Sequence, residues 1–147
     1  MLEQFQEYFT AIDLPQPIRE KAEQLCQAYA GALPGPLEDV FISDAFEPDG
    51  ARRYRSLWLK TPLHVMESHN FVVGYSMDFT ALLGVQSAEF IRSDLVSFDD
   101  GPTTPATRLM VRVRFRNQLE GHLQAAHNNC KYLYRFTVRN LMPRGQS

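Results

Sequence analysis

Cysteine is scarce: two residues, Cys26 and Cys130, stand far apart in a chain of 147. That excludes a disulfide framework and the paired-thiol spacing of a zinc site, and it makes a reducing cytoplasmic setting the expectation. The glycines are isolated from one another, so no glycine-rich loop is present to cradle a phosphate. No apolar run approaches the roughly 18 residues a membrane-spanning helix needs, and the first residues carry neither a basic stretch nor an apolar one. The four histidines fall in two pairs, His64 with His69 and His122 with His127, each five apart. Strand alternation sends residues at that spacing to opposite faces, and it matches no two-ligand metal motif. The reading therefore assigns no catalytic residue, no metal ligand and no cofactor.

What is present is ordinary globular material, 44% hydrophobic and 22% charged, which fits one folded unit whose core needs no staple. The net charge of -2 conceals a gradient. Residues 1–50 hold two basic and ten acidic side chains, and residues 101–147 hold eight basic and one acidic. Such ends either neutralise each other across a folded surface or leave the basic end for an anionic partner.

Leu2, Phe5, Phe9 and Ile12 recur at helical spacing, and the spacing predicts a first helix ending near Asp13. Pro17 suits the first turn of a second helix whose stripe is Ile18, Ala22, Leu25 and Tyr29. The Pro/Gly-rich stretch 32–36 reads as a linker, dividing a helical segment and linker over 1–37 from a β-rich unit over 38–147. From Glu38 onward, short runs of Val, Ile, Phe, Tyr and Trp are punctuated by Gly, Pro, Asn and Asp. They predict about seven strands, at 39–46, 53–60, 63–68, 70–76 with 77–83 as its continuation or a separate strand, 88–97, 108–116 and 119–126. After Ala126 the period returns to helical through Cys130, Leu133, Tyr134, Thr137, Val138 and Leu141, with Asn128 or Asn129 as the expected cap. That spacing places Tyr134 in the core and Phe136 at its margin. The fold class expected is α+β: N-terminal helices, bent antiparallel sheets and a C-terminal helix.

The clearest hairpin joins the last two strands. Leu109, Val111, Val113 and Phe115 alternate inward, as do Leu119, Gly121, Leu123 and Ala125, and a three-residue loop over 116–118 lets the faces coincide. This register puts Arg114 opposite Glu120 and Arg112 opposite His122. Arg108, Arg112, Arg114 and Arg116 then line one outward face, with successive positions about 7 Å apart. Aligned guanidinium groups pair with carboxylates or phosphates, whereas the plainer reading is a solvated face partnered by Glu120 and the acidic helices. Cys130 heads a helix behind His127 but lies on the buried stripe, which favours an inert thiol.

Seven short antiparallel strands followed by an amphipathic helix resemble the pleckstrin-homology superfold, over about residues 38–142. The stretch Arg55-Ser56-Leu57-Trp58-Leu59-Lys60-Thr61-Pro62-Leu63-His64-Val65-Met66-Glu67 looks like a strand, turn and strand of the bacterial PH-like domains, and Leu109 to Leu141 looks like their last hairpin and helix. The resemblance implies a barrel or sandwich closed at one end by the helix, in a fold that hosts lipid, peptide and self-assembly modules. Arg53-Tyr54-Arg55 is similar to the basic pair of phosphoinositide readers. The upstream lysine of that pattern is missing, and Glu38, Asp39, Asp44, Glu47 and Asp49 fill its place.

The leading expectation is a non-enzymatic interaction module that binds a protein segment or assembles with itself. It would use a free sheet edge, the groove beside the C-terminal helix, or the arginines at positions 53, 55, 108, 112, 114 and 116. One alternative is a small-molecule carrier or enzyme with a pocket lined by Trp58, Phe71, Tyr75, Phe79 and Phe90 and a polar group from His64 or Cys130. Another is binding of an anionic lipid or a nucleic acid through the basic strand, though a pI of about 6.1 argues against the latter.

Overall fold

Helical periodicity at the N-terminus becomes α1 (Glu3–Ala11), which buries Phe5, Tyr8 and Phe9. The computed structural model describes residues 3–32, 35–46, 49, 51–69, 71–72, 76–81, 85–93, 108–116, 118 and 120–142. α1 stops where expected because Asp13 turns left-handed, with φ of 53°. The Leu14 N–H then donates to the Phe9 carbonyl and the Asp13 N–H to the Thr10 carbonyl, both at 3.1 Å. These paired bonds close a helix C-terminus, usually around a glycine. α2 (Gln16–Ala32) opens on Pro17 and turns Ala22, Leu25 and Cys26 inward.

The strands are β1 (Asp39–Phe46), β2 (Arg52–Lys60), β3 (His64–His69), β4 (Ser76–Ala81), β5 (Val85–Ser93), β6 (Arg108–Phe115) and β7 (Glu120–Ala126). Phe71 and Val72 lie in a turn where a strand over 70–76 was expected, and residues 73–75 and 94–97 of the expected strands lie outside the described residues. The last hairpin has the register read from its alternation, with Arg114 opposite Glu120 and Arg112 opposite His122. Gln118 adopts a φ of 70°, the left-handed residue that ends a three-residue hairpin loop.

The strands do not curve into one barrel. Among the described residues they form two antiparallel sheets, ordered β1-β2-β3-β4 and β5-β6-β7, and no backbone ladder closes the sheets on each other. The physical reason lies between β1 and β7, which meet through side chains at the point where β1 shifts register against β2, between Ser43 and Asp44, before pairing on to Phe46. The Ser43 hydroxyl donates to the Gln124 carbonyl (3.1 Å) and accepts from the Gln124 N–H (2.8 Å), while Asp44 Oδ1 accepts from the Ala126 N–H (3.2 Å).

The closing helix is α3 (Cys130–Phe136), entered through a 3-10 turn at His127–Asn129 and continued by a π turn at Thr137–Leu141. No asparagine side chain caps it. The expected capping oxygens are used elsewhere: Asp44 draws the Asn129 amide nitrogen inward, which turns Asn129 Oδ1 to the Tyr8 hydroxyl, and Asn128 Oδ1 lies 3.5 Å from Arg52 Nη2. Asn129 Nδ2 donates to Asp44 Oδ1 and to the Ile42 carbonyl, each at 2.8 Å, and Asn129 Oδ1 accepts from the Tyr8 hydroxyl at 2.8 Å. That hydroxyl in turn accepts the Ile42 N–H at 3.0 Å. Arg52 binds the other oxygen of Asp44 through Nε and the Ile12 carbonyl through Nη1 (3.0 Å). Asn128 donates to the Ala11 carbonyl at 2.9 Å. One carboxylate thus joins α1, β1, β2, β7 and the start of α3.

Burial pushes the Asp44 carboxyl above its ordinary value, against the opposing pull of Arg52, Asn129 and the Ala126 N–H. A buried charge of this kind sets geometry more than it adds stability, yet removing one partner is costly. Asp44→Asn keeps the shape but turns an amide donor toward Arg52 or Asn129. It should lower unfolding stability by about 3 kcal/mol in denaturant titration, and an unchanged midpoint would contradict this assignment. Asp13→Gly relieves the left-handed strain and should raise stability by about 0.5–1 kcal/mol in the same assay.

Candidate functional site

The C-terminal helix divides its surface three ways. Cys130, Leu133, Phe136 and Leu141 are buried in the core. One flank, carrying Tyr132, Arg135 and Arg139, faces α1 and the start of β1 across a groove. The other flank, carrying Tyr134 and Val138, faces β5. Tyr134 is therefore not the core residue expected and Phe136 is. The π turn belongs to this arrangement, since it buries Asn140, whose amide donates to Asp39 Oδ2 at 2.7 Å.

On the second flank the Phe90 and Tyr134 rings stack with centroids 5.6 Å apart. Phe90, Ile91, Tyr134 and Val138 are 38–47% exposed, and the stacked pair among them presents a joint apolar surface. The cause is local. Phe90 is opposite Val111 on the inner face of the second sheet, but the β5–β6 register shifts between Phe90 and Arg92, so Ile91 has no cross-strand partner. A bulge there turns successive apolar side chains toward solvent. Among the described residues, β5 pairs with β6 alone, which makes it a sheet edge. Sequence reading missed this corner by assigning Tyr134 and Val138 to the buried stripe. The signal was the width of that stripe, too broad for one helix face.

The expected arginine row is only partly a row. Arg108, Arg112 and Arg114 lie on β6, while Arg116 falls past its end in the turn. Arg112 binds Glu89 of β5 through Nε at 2.7 Å and through Nη2, and Arg114 lies 3.4 Å from Glu120. The Arg112 guanidinium holds the Glu89 carboxyl below its ordinary value. The partners seen for these two arginines are carboxylates of neighbouring strands and not of the acidic helices, as the plainer reading had partly assumed.

Arg53 and Arg55 are exposed on β2. Ser43 is opposite Ser56 and Asp44 opposite Tyr54, which leaves Arg55 as the extra residue of a bulge. It reaches a depression of about 180 Å³ at the seam of the sheets, lined also by Arg108, Gln124 and Asp44. Two arginines that are distant in sequence are thus brought together, beside a carboxylate that is already fully hydrogen-bonded.

The expected aromatic pocket does not assemble from its described members. Trp58 and Phe71 are packed in the core, whereas Phe90 is at the surface. Tyr75 and the Phe79 side chain lie outside the described residues. A Cβ added at Gly121 would stand 2.8 Å from Trp58 Cη2, so the indole already fills the space above that glycine. Among the described residues, no group of three His, Cys, Asp or Glu could hold a metal ion, and no helix is long and apolar enough to cross a membrane. No family model, characterised protein or solved structure matches this chain.

Neither Cys26 nor Cys130 is in a disulfide, and both are buried. Burial, helped by Glu23, pushes Cys26 up to about 12, and Cys130 Sγ lies 3.5 Å from the Ala125 carbonyl. Thiolate is the reactive form. A disulfide exchange reagent at pH 8 should therefore label neither cysteine in the native chain on the timescale of free thiol, and both once it is unfolded. Fast labelling of Cys130 in the native state would restore it as a candidate nucleophile.

Proposed function

We propose that this chain is a non-enzymatic interaction module that docks an extended protein segment along the outer edge of β5. The observation that carries the reading is the exposed apolar corner of Phe90, Ile91, Tyr134 and Val138. An edge strand offers backbone groups to an added strand, and pockets beside it choose the side chains. The stacked rings supply an anchor of the type that dominates docking energetics. Element order, with antiparallel strands followed by one helix, supports a PH-like plan for the module. Its two buried cysteines, both in the thiol form, support a cytoplasmic setting.

The arginine row is a weaker basis for function. Arg112 and Arg114 already have carboxylate partners, so an anionic lipid or a nucleic acid would have to displace them. Self-assembly through the same corner remains the competing occupant, and one experiment separates the two.

Selection of a random peptide library against the immobilised chain should enrich segments with alternating apolar residues. A labelled peptide from it should bind with a saturable isotherm and lose about tenfold in affinity with Val138→Lys. Binding that ignores Val138→Lys and Ile91→Lys would overturn the proposal. Light scattering that shows a dimer at low micromolar concentration, dissociated by the same substitutions, would replace the partner segment by a second copy.

A further inference from the structure

The groove on the first flank of α3 is separate from the β5 corner and has a different chemistry. Its volume is about 230 Å³, and it runs between α1, the start of β1 and the helix. Phe5 and Phe136 are buried beneath it, and Tyr132 stands at its side with its ring 4.9 Å from that of Tyr8. Drug-sized ligands fill pockets of about 300–1,000 Å³. The space here admits a single ring with one substituent.

The charges of the groove are unequally committed. Glu38 is held by Lys60, and Asp39 accepts from the Val40 N–H (2.9 Å) and from Asn140 (2.7 Å). Arg139 approaches Asp39 only to 3.8 Å and its side chain is 66% exposed. The Arg135 guanidinium lies over the Tyr132 ring at 5.7 Å, and the Lys131 ammonium is also near that ring at 5.3 Å. Arg135 of α3 and Arg139 of the π turn both line the groove and can close on one carboxylate. The carboxylates across the groove would repel a multiply charged anion, which favours a ligand of single charge.

We propose that this groove is a binding site for a small aromatic carboxylate, its ring against Tyr132, Phe5 and Phe136 and its carboxylate held by Arg135 and Arg139. The proposal stands independently of the peptide-docking reading, since none of these residues belongs to the β5 corner.

The test is a titration of the full-length chain with benzoate, followed by amide NMR, with benzyl alcohol as the neutral control of the same shape. Saturable shifts centred on Gln4, Asp39, Tyr132 and Arg139 are expected, with half-saturation at about 1 mM or below. Benzyl alcohol should bind about tenfold more weakly, and Arg135→Gln with Arg139→Gln should impose a similar loss without moving the unfolding midpoint. Arg135→Lys, which keeps the charge but loses the planar fork, should fall between. Shifts that do not saturate by about 10 mM, or equal binding of acid and alcohol, would overturn the proposal. Should the double variant unfold, the comparison of acid with alcohol on the native chain decides.

Discussion

A single carboxylate, fully buried, determines how the parts of this molecule meet. Asp44 accepts hydrogen bonds from Arg52, Asn129 and the Ala126 N–H, and those groups come from three elements that no continuous ladder connects. Tyr8 and Ile42 extend the network to the first helix. Two sheets that share no backbone pairing among the described residues are thereby fixed at a seam, and the closing helix starts from a defined point. Its desolvation raises the Asp44 carboxyl, so ionisation there is opposed by burial and sustained by its donors. The network buries one charge to specify one arrangement, a role that an apolar contact of equal volume would fill with less geometric definition.

Much of the fold was legible in the sequence because it depends on period. The alternation of Leu109 to Phe115 with Gly121 to Ala125 dictated the hairpin register residue by residue, since a slip of one would expose the core face. The first helix ended near Asp13 as its spacing predicted, although the left-handed turn that stops it is a backbone property no pattern displays. Long-range polar pairing was not legible. Asn129 reads as a cap from its position, and only the approach of Asp44, far away in the chain, draws its side chain into the interior. The division into two sheets was hidden for the same reason: β1 meets β7 through the side chains of Ser43 and Asp44, a junction with no signature in residue type.

The candidate surfaces follow the same division. Arginines at 112 and 114 were predicted outward and are outward, but of their carboxylate partners only Glu120 could be named, because the long connection after the expected strand at 88–97 fixes no register that would put Glu89 opposite Arg112. The apolar corner escaped because helical spacing treats Tyr134 and Phe136 by angle alone, whereas the neighbour packed on each decides its exposure. A helix pinned at its start and clamped at its end by Asn140 to Asp39 leaves two flanks of unlike chemistry, one apolar beside a sheet edge and one aromatic with two guanidinium groups. Function is read from those flanks, not from the fold class.

Native-state hydrogen exchange addresses the central claim most directly, because the N–H groups of Ile42 and Ala126 donate to side chains of the buried network and not to a sheet ladder. If the Asp44 carboxylate unites the helices and both sheets, these two amides exchange only by global unfolding, with the protection of the most stable strand residues. Exchange of either through a local opening well below the global free energy would contradict the account.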